Sequence, residues 1–205
     1  MAVTTSLCSG GTHMHMSHIA EDLEAWYLNF DYDERLLTAF RPGLTNVKQD
    51  AQTIPQSAEN VSSIELLHSQ FKKTGRFGHS ASIQSTSRLQ HDVVGADGTP
   101  YPKGTAIPQR ADFNTLDNPF AWTANPSRDQ LKSQPAAGVH FVVFNPSGDD
   151  FERNRLAMDG GLPGRKLELA PRSRAQGFNS ILTTTHRQNF LVPPRRHRSF
   201  PLAEL

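Results

Sequence analysis

The chain is poor in the residues that make cross-links and membrane spans. Its 205 residues include one cysteine, Cys8, which excludes an internal disulfide and any zinc site built from several thiolates. Nothing therefore calls for an oxidising compartment. Aromatic residues make up 8% of the chain and hydrophobic residues of all kinds 36%, and no stretch approaches the roughly 20 apolar residues of a membrane-spanning helix. The opening MAVTTSLCSGG lacks both a basic n-region and an apolar h-region, so it reads as neither signal peptide nor anchor, and a cytoplasmic location is expected. Glycine and proline number 14 each, which implies a modest core with long irregular stretches.

Charge is nearly balanced overall but unevenly distributed. The formal net charge is +1, yet residues 161–205 carry +6 and the rest −5. A basic segment with Arg187, Arg195, Arg196 and Arg198 beside Phe190 and Phe200 could meet phosphates and stack bases. With a whole-chain charge near zero and no recognisable nucleic-acid module, a solvated tail is the better reading. The domain expectation is an α+β domain over 1–160 followed by a basic, proline-punctuated tail over 161–205.

Periodicity marks the elements. From Ser17 onward, Ile19, Leu23, Trp26, Tyr27 and Phe30 recur at helical spacing, with Ser17 as N-cap and early acids suiting the helix dipole. A shorter helix is expected over Asp33–Phe40, ended by Arg41-Pro42-Gly43. A third is expected from Glu59 to Lys73, with Gly75 beyond its end. FGHSASIQSTSRLQH has neither a helical nor an alternating period and reads as loop, leading into the turn-rich VGADGTPYPKG. Thr105–Phe113 reads as a short strand. Gly138–Asn145, GVHFVVFN, is the strongest strand, and Asp149 or Asp150 can cap a helix over Phe151–Met158 closed by Gly160-Gly161. In that strand His140, Val142 and Phe144 face one side and Val139, Phe141 and Val143 the other.

Single histidines are more often structural than chemical. His13, His15 and His18 have spacings that permit transition-metal binding, but no carboxylate or cysteine partner is identifiable beside them, so they read as polar residues. Packing against polar loops is the plainer role for His140, as core or lid packing is for Trp26 and Trp122.

Four pieces in order resemble the second half of DyP-type (dye-decolourising) haem peroxidases and a group of peroxidase-like proteins related to them. SGGTHMHMSHIAEDLEAWY is similar to the Gly-Gly-Thr segment and helix that open that half. FGHSASIQSTSR is similar to the loop of the proximal haem histidine, which falls on His79. IPQRADFNTLDN resembles the segment of the distal-side arginine, which falls on Arg110, although Pro108-Gln109 departs from the apolar and basic pair of the pattern. GVHFVVFNPSGDDFERNRLAMDG resembles the last strand and helix, and NFLVPP the closing Phe-Val-Pro-Pro. The family's first half, with its Gly-x-x-Asp-Gly motif and distal aspartate, has no counterpart in these residues, and a truncated start is the expectation.

The resemblance implies an α+β fold, a ferredoxin-like unit of the dimeric α/β-barrel type with long loops. It implies haem b held by His79 as metal ligand, with Arg110 and Phe141 also at the cofactor and Arg110 in a catalytic role. Peroxide cleavage needs a proton shuttle and a positive group beside the departing oxygen. Arg110 suits the second, and the shuttle is the family's aspartate; Asp112 and Asp117 are near in sequence only. Three readings follow in rank: a haem peroxidase-like oxidoreductase using hydrogen peroxide on small reducing substrates; a non-catalytic haem-binding or structural module, or a product needing a partner chain; and a binder of nucleic acid or acidic surfaces through the tail. Unpaired strand edges would favour a homodimer or a partner chain.

Overall fold

The computed structural model describes residues 10–40, 64–76, 78–95, 97–117, 135–169 and 174–194. In chain order these form β1 (Thr12–Glu21), α1 (Leu23–Leu28), α2 (Tyr32–Ala39), α3 (Ile64–Thr74), α4 (His79–Ser87), β2 (Val93–Val94) and β3 (Pro100–Tyr101). They continue with β4 (Gln109–Arg110), β5 (Phe113–Thr115), β6 (Gly138–Asn145), α5 (Gly148–Met158), β7 (Gly161–Leu162), β8 (Arg165–Lys166), a 3-10 helix (Arg174–Ser180) and β9 (Leu182–Val192). The chain divides into two compact units: residues 1–20, 108–151 and 184–205 form the first, and 21–107 with 152–183 the second. Among the described residues, no helix is long and apolar enough to cross a membrane.

The first unit is an antiparallel sheet. Its strand order is β4-β6-β1-β9, with β5 also on β6. Counting β4 and β5 as one interrupted strand, the long strands run β-β-β-β in sequence and 4-1-3-2 in space, with helices in the first and last connections. That is the ferredoxin-like arrangement, and the fold class is α+β. The centre is the pairing of β1 with β6 over eight residues, from His13 opposite Asn145 to Ala20 opposite Gly138. Alternation then sorts the side chains. His15, Ser17, Val143 and Asn145 lie on one face and are buried, whereas Met16 on the other is exposed.

The helix expected from Ser17 is corrected here. Thr12–Glu21 is strand, and the helix starts at Leu23 under the cap of Asp22, whose carboxylate accepts from Ala25 N at 2.9 Å. The helical spacing of Ile19 with Leu23 is accidental. THMHMS alternates with period two, and a long partner strand outweighs a weak local pattern. The expected strand over Thr105–Phe113 is also broken into β4 and β5. Between them Asp112 turns its carboxylate back to accept from Val142 N at 3.1 Å, while Ala111 N donates to Val142 O at 2.9 Å. The final apolar run Phe190–Val192 is the end of β9, so this part of the basic segment is sheet.

The second unit carries the helices. Asp31 and Glu34 form a capping box on α2, and Glu34 also pairs with Arg76. α3 is helical from Ile64, the first described residue of its segment, residues 59–63 of the expected helix lying outside the described residues, and ends as expected with Gly75 at φ +65°. FGHSASIQSTSR, expected to be loop, contains α4. Its buried positions are Ala81, Ser82, Thr86 and Ser87, small residues that let helices approach closely without producing an apolar stripe. Ala81 N donates to Phe40 O at 3.1 Å, and Thr86 Oγ1 to Asn154 Oδ1 at 2.7 Å, so neighbouring elements satisfy part of the helix's polar atoms. Residues Leu67, Ala81, Ala157, Leu162 and Leu167 make the core, with Ile64, Phe71 and Leu169 packed against it.

Ser147 rather than Asp149 or Asp150 caps α5: Ser147 Oγ accepts from Asp150 N at 3.3 Å, and the Asp150 carboxylate accepts from Ser147 N at 3.1 Å. Gly160 ends that region at φ +82°, with Leu167 O 3.1 Å from where a Cβ would stand, so neither conformation nor space admits a side chain there. Core geometry gives a direct test. Leu67→Ala is expected to lower stability by about 2–5 kcal/mol, measured as a shift in urea midpoint, whereas Leu28→Ala at an exposed position should change it by less than about 0.5 kcal/mol.

Candidate functional site

His79, the sequence candidate for an iron ligand, is the first residue of α4, following Gly78 in extended backbone (ψ 138°). Its ring is half-buried and lies 4.8 Å from the ring of Phe178, tilted by 40°. Phe178 in turn makes an edge contact with Trp26 at 5.5 Å, and Trp26 packs on Phe30 at 5.2 Å. A row of four rings thus joins the head of α4, the 3-10 helix and α1. Ser82, fully buried, donates to His79 O at 2.7 Å and fixes the backbone from which the imidazole projects. Trp26, expected to be a core or lid aromatic, is half-buried in this aromatic row, while Trp122 falls outside the described residues.

Arg110 and Phe141 belong to the first unit. Arg110 sits opposite Val143 and Phe141 opposite Ser17, so their side chains share one face of the sheet. Phe141 is half-buried, 6.3 Å from the ring of His15. Arg110 is 58% exposed, and its Nε lies 3.7 Å from the carboxylate of Asp112. His15 is stacked on Phe151 at 3.9 Å and its Nδ1 is 2.7 Å from Asn189 Oδ1. Asn145, 1% exposed, has neither side-chain atom hydrogen bonded, and the Nδ1 of His13 opposite it is also unpaired. Near them a cleft of about 160 Å³ opens between His13, Ser147 and Leu191, well below the roughly 300–1,000 Å³ of ordinary small-molecule pockets.

On the other face the strands assemble something that no single segment displays. His18 and His140 are direct cross-strand partners with ring centroids 4.5 Å apart and near perpendicular. His186 of β9 lies 6.4 Å from His18, and Phe113 covers His140 at 5.0 Å. The Nε2 of His18 is buried without a hydrogen-bond partner. Gly138 lies against this group: a Cβ there would stand 2.6 Å from Ile19 O and 3.6 Å from His18 Nε2, so the strands approach too closely for a side chain. His18 and His140 were visible as separate residues, but His186 was not singled out, because only strand pairing brings it to them.

Residues 1–194 match the model of a family of unknown function, DUF7405. The chain belongs to this family. No curated protein matches its sequence. Among solved structures, this DUF7405 chain is similar to a DypB variant of Rhodococcus jostii RHA1 in complex with heme, at 15% identity and a TM-score of 0.44, covering 91% of this chain and 42% of that one. It is similar to a DypB variant in complex with manganese at 16% identity and a TM-score of 0.46, with the same coverage. To the encapsulated DyP-type peroxidase of Mycobacterium smegmatis it is similar at 12% identity and a TM-score of 0.45, over 89% of this chain and 41% of that one. The DUF7405 chain thus spans about two fifths of the length of these proteins.

The crowded histidines give the DUF7405 sheet a pH dependence. Burial holds the His18 pKa below its ordinary value of 6.5, and His140 and His186 lower it further, against partial opposition from Asp117. The unfolded chain therefore binds the proton more tightly than the folded one, and stability falls as pH drops through 6.5 toward the lower folded value. His18→Gln should flatten that slope between about pH 7 and pH 5. The comparison is urea unfolding of the two proteins across this range; parallel slopes would remove His18 from the account.

Proposed function

We propose that this chain is a haem-binding module of the peroxidase type, with His79 as the axial ligand. The observation that carries the reading is the setting of His79: a half-buried imidazole at the head of a helix, backed by the ring of Phe178. An iron porphyrin needs a neutral imidazole lone pair in a wall apolar enough to accept a macrocycle, and the Phe178–Trp26–Phe30 row supplies such a wall. The residues fit the group. The order of the four peroxidase-like sequence pieces supports the same assignment.

When bound, haem would supply peroxide activation, with small reducing substrates as electron donors. The chain's own residues would bind and orient. His79 would anchor the iron, and the Phe178 ring beside it would present an apolar surface to the cofactor. The acid–base group of the peroxidases is not among the matched motifs, and losing such a group typically costs about 10²–10⁴ in rate. Slow turnover by this stretch alone is therefore part of the proposal, a partner chain being the source of such a group. A binding module without turnover is the second reading, favoured by the exposure of Arg110 and its pairing with Asp112.

Titration of the purified chain with hemin is expected to give a saturable Soret shift at one equivalent, lost in His79→Ala and kept in His91→Ala. Peroxide-dependent dye oxidation by the loaded protein separates the two readings. A shift unchanged in His79→Ala would overturn the ligand assignment, and absence of any saturable shift would overturn the haem reading.

A further inference from the structure

We propose that His18, His140 and His186 bind a divalent transition-metal ion of the zinc and copper class on the face of the sheet. The inference stands independently of the haem reading, since all three residues lie in the first unit and none is assigned to the cofactor.

The argument starts from strand pairing. β1, β6 and β9 are hydrogen-bonded neighbours in that sheet, and each contributes one imidazole from a position separated in sequence from the others by at least 46 residues. An ion bonded at about 2.1 Å to each of two imidazole nitrogens in tetrahedral geometry holds the ring centroids roughly 5 Å apart. The observed separations from His18 are 4.5 Å to His140 and 6.4 Å to His186, on either side of that value. Among the described residues no three donor groups already converge as a complete ligand set. His186 is exposed, and exposed rings change rotamer readily, so its ring is the one whose turn would complete the set.

One further feature points to an occupant. The Nε2 of His18 is buried with no protein partner, an arrangement that costs free energy unless something supplies one. Three imidazoles form a nitrogen set that suits zinc, copper or nickel and disfavours magnesium and calcium, which prefer all-oxygen shells.

The test uses the full chain without hemin. Zinc titration calorimetry and cobalt ligand-field absorption should both show one site per chain. His186→Ala, at an exposed position that leaves the fold intact, should weaken binding by more than the roughly 10- to 100-fold that loss of an outer partner costs a metal site. His140→Ala should do the same, and His91→Ala should bind like the native chain. Metal should raise the melting temperature of the native chain and not that of His186→Ala. No saturable metal binding would overturn the proposal, as would binding unchanged in His186→Ala. Binding lost instead in His13→Ala would move the metal to the opposite face and overturn it too. Hemin binding by His186→Ala should stay native-like, so failure of this site and failure of the haem reading are read separately.

Discussion

The eight-residue pairing of β1 with β6 is the constraint on which the first unit depends. It fixes which side of the sheet each residue faces, and a slip of one position would exchange the two faces completely. In the observed register His15, Ser17, Val143 and Asn145 are buried together while His18 meets His140. Arg110 and Phe141 come to one face for the same reason, one opposite Val143 and the other two residues along the same strand. Each arrangement of side chains in the unit is therefore a consequence of register, and the chemistry differs between faces because the strands alternate.

The second unit is organised by a different principle. Its central helix, α4, is built from serine, threonine and alanine and has no apolar stripe. Such a helix is stable only where neighbours accept its polar atoms, as Phe40 O and Asn154 Oδ1 do. The benefit is close approach, and its consequence is that His79 starts from a backbone held on several sides. An imidazole projecting from a fixed helix end against Phe178 is better placed for ligation than one on a free loop.

Much of this was legible in the sequence where local signals and tertiary demands agree. GVHFVVFN is strand as its β-branched and aromatic content required, and the faces assigned to His140 and Phe141 follow from its period. The turn signals at Gly75 and Gly160 also mark real ends. Disagreement arose where the tertiary structure overrules the local pattern. THMHMSHIAE was drawn into the helical spacing of Leu23 and Trp26, because the strand that pairs with it lies more than a hundred residues away. FGHSASIQSTSR read as loop because burial of small polar residues leaves no hydrophobic period. The histidine group of the sheet was out of reach for a further reason: its three imidazoles come from three separate strands, β1, β6 and β9, that only the sheet brings together. The segment from Arg195 onward, including Arg196 and Arg198, lies outside the described residues.

The central claim is that His79 donates its lone pair to a haem iron. Electron–nuclear double resonance on the ferric, hemin-loaded chain grown with nitrogen-15 histidine reads axial imidazole ligation directly. The account predicts coupling from one axial imidazole nitrogen that is absent in His79→Ala. Coupling that survives the substitution, or a native spectrum with no axial imidazole nitrogen, would contradict it.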